Sequence, residues 1–397
     1  MTLTGMTLTD CSGTISAWRG HQHVEFDYVI VGSGLTGAVI ARLLVESGRS
    51  VVVVDRRKHR GGNVHDHVHH SGIRIHTYGP HYFRTNSEEI WQFVNRFADF
   101  DRYEACIKSL VDARHENWPI SGSYIRRTIG DGWQPVFRGS PSNFEEASLA
   151  MMPRQVYEKF VKGYSEKQWG APAQALSADL AKRFDVRDDD EPRLCRHRFQ
   201  GIPSLGYADF MQNMLHGIPV VLDCDYLQHR QEFPFRCKLI FTGPIDEYFG
   251  FDLGRLRYRG QRREHSYRGD VDFVQPCGQV NYPDSASGPF IRQMEWKHMM
   301  PAAAIRNIRG TVLTRETTVD PVNPDEYEYP FPDDANAELY ARYRRRAERD
   351  PQLLVCGRLG EYKYYDMDQA IARAMVLAQR ILSAQNSRRA LTAVHSM

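Results

Sequence analysis

A short apolar run over residues 26–32 (FDYVIVG) leads into the turn Gly32-Ser33-Gly34-Leu35-Thr36-Gly37. The stretch AVIARLLVESG, with apolar residues at helical spacing, comes next, and then the β-branched run VVVVD. This order of strand, glycine turn, helix and strand constrains the fold more than any other stretch of the chain. Glycines at Gly32, Gly34 and Gly37 let the backbone close on a pyrophosphate, and the helix N-terminus behind them offers free N–H groups and positive dipole. Asp55 ends the second strand 18 residues after Gly37, where a carboxylate can accept hydrogen bonds from an adenosine ribose. The motif alone is weak, but in this setting it predicts a dinucleotide site on an α/β fold.

At 397 residues the chain is long enough for two or three lobes, each with its own apolar interior. Its 51 basic and 49 acidic residues give a net charge of +2, which argues against a general nucleic-acid or membrane-surface binder, so any anion site must be local. Seven scattered cysteines (Cys11, Cys106, Cys195, Cys224, Cys237, Cys277 and Cys356) form no CxxC, which suggests neither a disulfide framework nor a zinc site and fits a reducing cytoplasm. Residues 1–23 repeat MTLT and lack the basic start and apolar core of a secretory signal, so they read as a disordered extension. No apolar run approaches the ~20 residues needed to span a bilayer.

Further along, residues 104–121 suggest a hairpin and residues 143–182 look largely helical. Strand signals return at VVLDCDYL and KLIFTG, continue from FDLGRLRYRG to GPFIRQMEW, and end with LLVCG before a closing helix from Asp366 through Ala384. This order implies one nucleotide-binding domain assembled from discontinuous segments. The histidine-rich stretch HDHVHH (residues 65–70) reads as a solvated strand or turn, because spacing alone sets no metal geometry. The mixed-charge run RYRRRAERD (342–350) reads as a solvent-facing helix.

NAD and FAD share this fold, and the choice between them rests on the residues after Asp55. The run RRKHRGGN, with Arg56, Gly62 and Asn63, is typical of FAD-binding oxidoreductase-like folds, although a plain tight turn would also account for it. The C-terminal GRLGEYKYYDMDQAI sets Arg358 at a strand end and starts a helix near Asp366 and Met367, whose N-terminus would stabilise an anionic reduced flavin. A second glycine-rich fingerprint for a pyridine nucleotide is not found.

The strings VIVGSGLTGAVIARLL, RGGNVHDH, YGPHYFRT, KGYSEKQWG, RFQGIPSLGY, FTGPIDEYFGFDLGRLRYR and GRLGEYKYYDMD occur in that order. Through them the chain resembles the bacterial UDP-galactopyranose mutase family from residue 24 to residue 382. The resemblance implies a Rossmann-like FAD-binding domain from segments 24–103, 216–254 and 332–388. It also implies a helical domain with a mobile loop (122–182) and an antiparallel β-sheet substrate domain from 104–121, 183–215 and 255–331. The implied activity is the reversible ring contraction of UDP-galactopyranose to UDP-galactofuranose through a covalent flavin N5–sugar adduct of reduced FAD, without net electron transfer. A reductant such as NAD(P)H, a homo-oligomer, and a supply of galactofuranose for cell-surface glycans belong to the same implication.

Residue by residue, Arg183 and Arg292 resemble the family's diphosphate-gripping arginines, with Tyr329 and Tyr364 beside them. Guanidinium forks suit phosphate oxygens and stay charged when desolvated. Read alone, each arginine is a surface charge. Tyr164 and Trp169 match aromatics set against uridine and the closing loop, Phe160 an aromatic near the base, and Asn281 an asparagine of the substrate pocket. Outside their motif these are helix-core aromatics and a turn asparagine. His81, Tyr78, Arg259, Arg358, Asp366 and Met367 match positions about the flavin. Two departures stand out: Arg84 occupies the place of a histidine near the flavin, and Leu194 that of a diphosphate-binding tyrosine. An FAD-dependent amine or alcohol oxidase or dehydrogenase is the competing enzyme class, and a non-catalytic nucleotide-sugar binder the competing non-enzyme. Removing either Arg183 or Arg292 is expected to abolish turnover and spare the flavin.

Overall fold

A computed structural model describes residues 13–14 and 25–395, with side chains from 25 to 384. Six parallel strands form the central sheet, in the order Gly13–Thr14, Val220–Leu222, Val51–Val54, Phe26–Val31, Phe235–Phe241 and Leu353–Val355. The sheet is thus gathered from segments far apart in the chain, as a Rossmann-like α/β domain requires. Four consecutive valines explain why the motif strand sits at its centre. Val51 and Val53 face one apolar core with Ile30, and Val52 and Val54 face another with Val29. A strand buried on both faces reads as a continuous apolar run, and each fully buried valine contributes roughly 1.5–3 kcal/mol relative to an exposed one.

Helix Leu35–Glu46 covers one face and packs against the long C-terminal helix Met367–His395, which runs past the expected end at Ala384. The expected extension over 1–23 lies outside the described residues except for Gly13–Thr14, which are paired at the sheet edge.

A second, seven-stranded sheet is antiparallel at every step except between Gln279–Asn281 and Ile107–Val111. The hairpin expected at 104–121 forms its edge, Ile107–Val111 against Arg114–Trp118, with Asp112 and Ala113 both at positive φ as a two-residue primed turn demands. Against the seven-stranded sheet packs a helical lobe whose core includes Tyr124, Phe144, Tyr157 and Phe160.

One segment falls elsewhere than expected. Residues 199–215, assigned to the substrate sheet, instead supply the strand Phe199–Pro203 to a separate three-stranded sheet with Phe83–Thr85 and Phe100–Arg102, and the helix Tyr207–Met214 to the core beneath Leu35–Glu46. The apolar face of that helix (Phe210, Met211, Met214) is what commits it there.

Within HDHVHH the structural work is done by the aspartate. Strand Asp66–Val68 pairs with Arg74–His76, and fully buried Asp66 accepts from the first helical amides, Tyr207 N at 2.6 Å and Ala208 N at 3.3 Å, and from Arg74 Nη1 at 3.0 Å. No group of three or more His, Cys, Asp or Glu able to hold a metal occurs among the described residues. Asp66→Ala would leave a buried helix end and an arginine unpaired, and should cost about 2–4 kcal/mol by denaturant unfolding. His67→Ala, at an exposed site, should stay within about 0.5 kcal/mol.

Candidate active site

At the C-terminal ends of the parallel strands the glycine turn opens a cleft lined by Gly32, Gly34, Gly37, Asp55 and Gly62 together with Thr242, Gly357, Arg358, Tyr365 and Met367. Two glycines are sterically required. A Cβ on Gly37 would sit 2.0 Å from Gly32 O, and Gly32 itself has φ +102 with Thr242 Oγ1 2.0 Å from an added Cβ. Helix Leu35–Glu46 starts with no side-chain cap, so its first amides remain open toward the cleft mouth.

Asp55 is buried, with Oδ2 accepting from Ser33 N (2.7 Å) and Ser33 Oγ (2.6 Å) and Oδ1 from Arg57 N (2.9 Å). The carboxylate therefore also shapes the turn, through Ser33. Leu35 and Thr36 line the cleft as well.

Of the two arginines after Asp55, the one named from sequence is the less available. Arg56 meets Glu247 with both terminal nitrogens (2.9 and 2.8 Å) and reaches Asp325 at 3.2 Å. Burial works against its charge, and Glu247 more than offsets that. Arg57, passed over in the sequence, hydrogen-bonds Asn63 Oδ1 at 2.7 Å and lies 4.3 Å above the ring of Tyr78, whose hydroxyl meets His59 Nε2 at 2.8 Å. Neither Tyr78 nor Arg259 lines the cleft. Arg259 is a correction: its guanidinium caps the end of helix Gly163–Trp169 through Gln168 O (3.1 Å) and pairs with Asp320, because Gly170 leaves room for it there.

A second cleft opens between the seven-stranded sheet and the helical lobe, lined by Trp118, Tyr164, Trp169, Arg183, Arg292 and Tyr329 among others. Its floor is a buried charge network. Glu316, with 0% exposure, receives Arg292 Nε and Arg263 Nε (3.0 Å), and Arg263 also grips Glu328 with both terminal nitrogens (2.8 and 2.9 Å). Burial would push the Glu316 carboxyl up, and the two guanidiniums hold it below its ordinary range. Arg292 commits only Nε to this pair.

Arg183, at the end of the turn Ala178–Arg183, is exposed and has no carboxylate partner among the described residues. It rests 4.5 Å over the ring of Tyr364. Tyr364 stacks on Tyr329 (6.0 Å, 14°), and Arg358 lies 5.0 Å over Tyr364. Arg358 also lines the first cleft, so it joins the two. Burial raises the Tyr329 phenol to about 12, so it is a hydrogen-bond donor at neutral pH.

His81 lines the first cleft, and its Nδ1 lies 2.8 Å from Gly79 O, which fixes the proton on Nδ1 and leaves the Nε2 lone pair free. Burial and neighbouring His76 push this imidazole down to about 3, so it is neutral.

The remaining sequence-named residues divide. Tyr164 lies on the second cleft 6.4 Å from Trp118, and Trp169 ends its helix edge-on to Phe331. The segment carrying them is helical through Trp169 and bolted to the sheet by Lys167 Nζ, which donates to Tyr282 O (2.8 Å) and Asp284 O (2.7 Å). Asn281 occupies a strand, not the turn that the bland reading gave it, and stands opposite Arg292 in register. Phe160 is a correction: 1% exposed and edge-on to Tyr124 at 4.9 Å, it is core of the helical lobe and meets no cleft. Tyr364 and Asp366 face the second cleft's mouth, whereas Tyr365, unremarked in sequence, faces the first. Leu194 is fixed by its own N–H on Ala105 O (2.7 Å), in a loop stapled internally by buried Arg187.

His76 is fully buried beside His81 and is pushed down to about 3 by burial. The unfolded chain binds a proton at this histidine near 6.5 and the folded one does not, so stability is present above pH 6.5 and is lost as pH falls toward 3. Thermal midpoints measured from about pH 8 to about pH 4 should fall along that range, and His76→Gln should flatten the slope.

Comparison with known proteins gives the family. The family model for UDP-galactopyranose mutase matches residues 159–364, and one for an NAD(P)-binding Rossmann-like domain matches residues 30–97. A Klebsiella pneumoniae protein described as a probable UDP-galactopyranose mutase is 32% identical, over 89% of this chain and 94% of its own. The dTDP-fucopyranose mutase of Escherichia coli is 30% identical, over 88% and 97%. A crystal structure of reduced UDP-galactopyranose mutase shares the fold, with a TM-score of 0.72 at 14% identity, over 90% of this chain and 96% of that one. The chain belongs to the UDP-galactopyranose mutase family.

Proposed function

We propose that the protein interconverts UDP-galactopyranose and UDP-galactofuranose, with FAD in the first cleft and the nucleotide sugar in the second. The observation that carries this reading is the convergence of Arg183, Arg292 and Tyr329 on one cleft, with Tyr364 stacked on Tyr329 beneath Arg183 and Arg358 leading from it to a dinucleotide cradle. The cradle fits FAD: Gly32 and Gly37 let the turn close so tightly that a Cβ at either would strike Thr242 Oγ1 or Gly32 O, the amides of helix Leu35–Glu46 suit a pyrophosphate, and Asp55 suits the ribose. Met367, at the start of the C-terminal helix, lines the opposite end, where a helix dipole favours a reduced anionic ring. Bound reduced FAD supplies an electron-rich ring nitrogen able to attack an anomeric carbon.

The chain's own residues do the rest. Arg183 leaves the face of Tyr364 to meet the diphosphate, because a dianion attracts a guanidinium more strongly than an aromatic ring does. Arg292, held at Nε by Glu316, offers its terminal nitrogens from a fixed position. Tyr329 donates its hydroxyl to a phosphate oxygen, and His81 accepts a hydrogen bond at Nε2. The departing UDP is thereby kept in place for its return to the anomeric carbon. Trp118, Tyr164 and Trp169 form the aromatic end suited to a pyrimidine base.

No helix among the described residues is long and apolar enough to cross a membrane. A cytoplasmic enzyme reduced by NAD(P)H, acting as a homo-oligomer and feeding galactofuranose to cell-surface glycans, accords with this reading.

The deciding measurement is conversion of UDP-galactofuranose to UDP-galactopyranose by oxidised and dithionite-reduced protein, with the dTDP-fucose pair as comparison. Turnover should require reduction and leave the flavin reduced; a protein inert in both states on both substrates would refute the proposal. Arg183→Ala should lower kcat/KM by about 100-fold or more, with flavin retained. Arg292→Ala is a less clean substitution than the sequence alone suggests. It strands part of the charge on Glu316 and should also cost about 3–5 kcal/mol of stability.

A further inference from the structure

Arg84 lies on strand Phe83–Thr85 with buried Phe83 and Thr85 on either side, so the strand's alternation turns it away from that core. Its Nη2 donates to Asp366 Oδ2 at 3.0 Å, and the other oxygen of the same carboxylate, Oδ1, accepts from the Tyr364 hydroxyl at 3.2 Å. Tyr364 is the ring on which Arg183 rests. A side-chain chain therefore runs from Arg84 through Asp366 and Tyr364 to Arg183.

Two features set this apart from an ordinary surface pair, which contributes little to stability. Asp366 immediately precedes the helix Met367–His395, where an aspartate would ordinarily accept from the helix amides. Here its carboxylate is turned to Arg84 and Tyr364 instead, and its own N–H donates to Gln369 Oε1 at 3.0 Å. Asp366 is also a negative charge at the mouth of a cleft whose exposed cation is Arg183. Left uncompensated, it would repel a dianionic diphosphate and compete for Arg183.

We infer that Arg84 is a positioning residue for diphosphate capture: it neutralises Asp366 and, through it, holds the Tyr364 hydroxyl and the ring beneath Arg183. This rests on the nucleotide-sugar reading given above. Arg84 does not itself touch the diphosphate. Its effect is exerted on binding, through charge and through the orientation of Tyr364.

The test is UDP binding by calorimetry to the full chain at low and high salt, with steady-state kinetics on the reduced protein. Arg84→Gln should weaken UDP about tenfold at low salt and less at high salt, because the half-buried Asp366 charge is then partly screened. KM should rise by a similar factor with kcat within about twofold. Adding Asp366→Asn to Arg84→Gln should recover most of the affinity, and Arg84→Lys, which keeps the charge, should bind within about threefold of the parent. A merely structural role predicts the opposite: a loss insensitive to salt and not relieved by the second substitution. Should Arg84→Gln fail to fold, the Lys variant paired with Asp366→Asn alone still decides the matter, since a Lys variant that binds as weakly as an unfolded control overturns the inference. Parent protein that binds UDP while Arg84→Gln binds equally well overturns this inference alone; parent protein that binds no UDP overturns the substrate reading and takes this inference with it.

Discussion

The buried pairing of Glu316 with Arg292 and Arg263 is the constraint on which the second cleft depends. Carboxylates and guanidiniums lose several kcal/mol each on leaving water, and close pairing recovers that cost only where every charge finds a partner. Here each does: Glu316 receives both arginines, and Arg263 extends the network to Glu328. Two strands of the seven-stranded sheet carry Arg292 and Glu316 and a third carries Arg263, so the network also fixes their mutual register. The turn at Gly79 closes over it, where an added Cβ would meet Glu316 Oε1 at 2.8 Å, and that closeness seats His81 nearby. The Arg292 guanidinium is thus held at the cleft already desolvated and oriented, and would need little reorganisation to meet an anion.

Against that fixed arginine stands a free one. Arg183 sits on a short turn, exposed, with only the face of Tyr364 beneath it. A cation–π contact of this kind is worth roughly 0.5–1 kcal/mol at an exposed site, less than a charge-assisted hydrogen bond to phosphate. On the nucleotide-sugar reading proposed above, Arg292 would define where the anion sits and Arg183 would move to close on it. The asymmetry follows from burial alone, because the same side chain in two dielectric settings has two roles.

How far the sequence disclosed this varies with the physics involved. The strand, glycine turn and helix were legible because steric demands at Gly32 and Gly37 leave few alternatives, and the four valines because a doubly buried strand has no polar face. Arg183, Arg292, Tyr329 and Tyr364 were singled out through motif context alone, and their proximity depends on bringing residues 183, 292, 329 and 364 together by tertiary folding that no local pattern encodes. Phe160 misled because an aromatic at helical spacing looks the same whether it faces a lobe core or a ligand. Arg56 and Arg57 are adjacent and chemically identical. Only the positions of Glu247 and Asp325, far away in sequence, decide which of them is taken up by carboxylates. Arg259 was lost in the same way, to Asp320 and a helix end. Residues 199–215 were misassigned because chain order suggested the neighbouring sheet, whereas the apolar face of Tyr207–Met214 finds its complement beneath Leu35–Glu46.

The start of the C-terminal helix ties the two clefts into one machine. Consecutive residues there face different ways: Tyr364 and Asp366 toward Arg183 and Arg84, Tyr365 and Met367 toward the dinucleotide cleft. Arg358, just upstream, donates to Tyr365 O at 2.9 Å and so holds that segment against both. A shift of the backbone by one residue here would exchange the two sets of side chains. The packing of Met367–His395 along Leu35–Glu46 resists such a shift, since it would have to displace a buried row that includes Ile371, Ala374 and Ala378. Register in an ordinary helix–helix contact is thereby converted into the relative placement of the two clefts, set by apolar packing away from either.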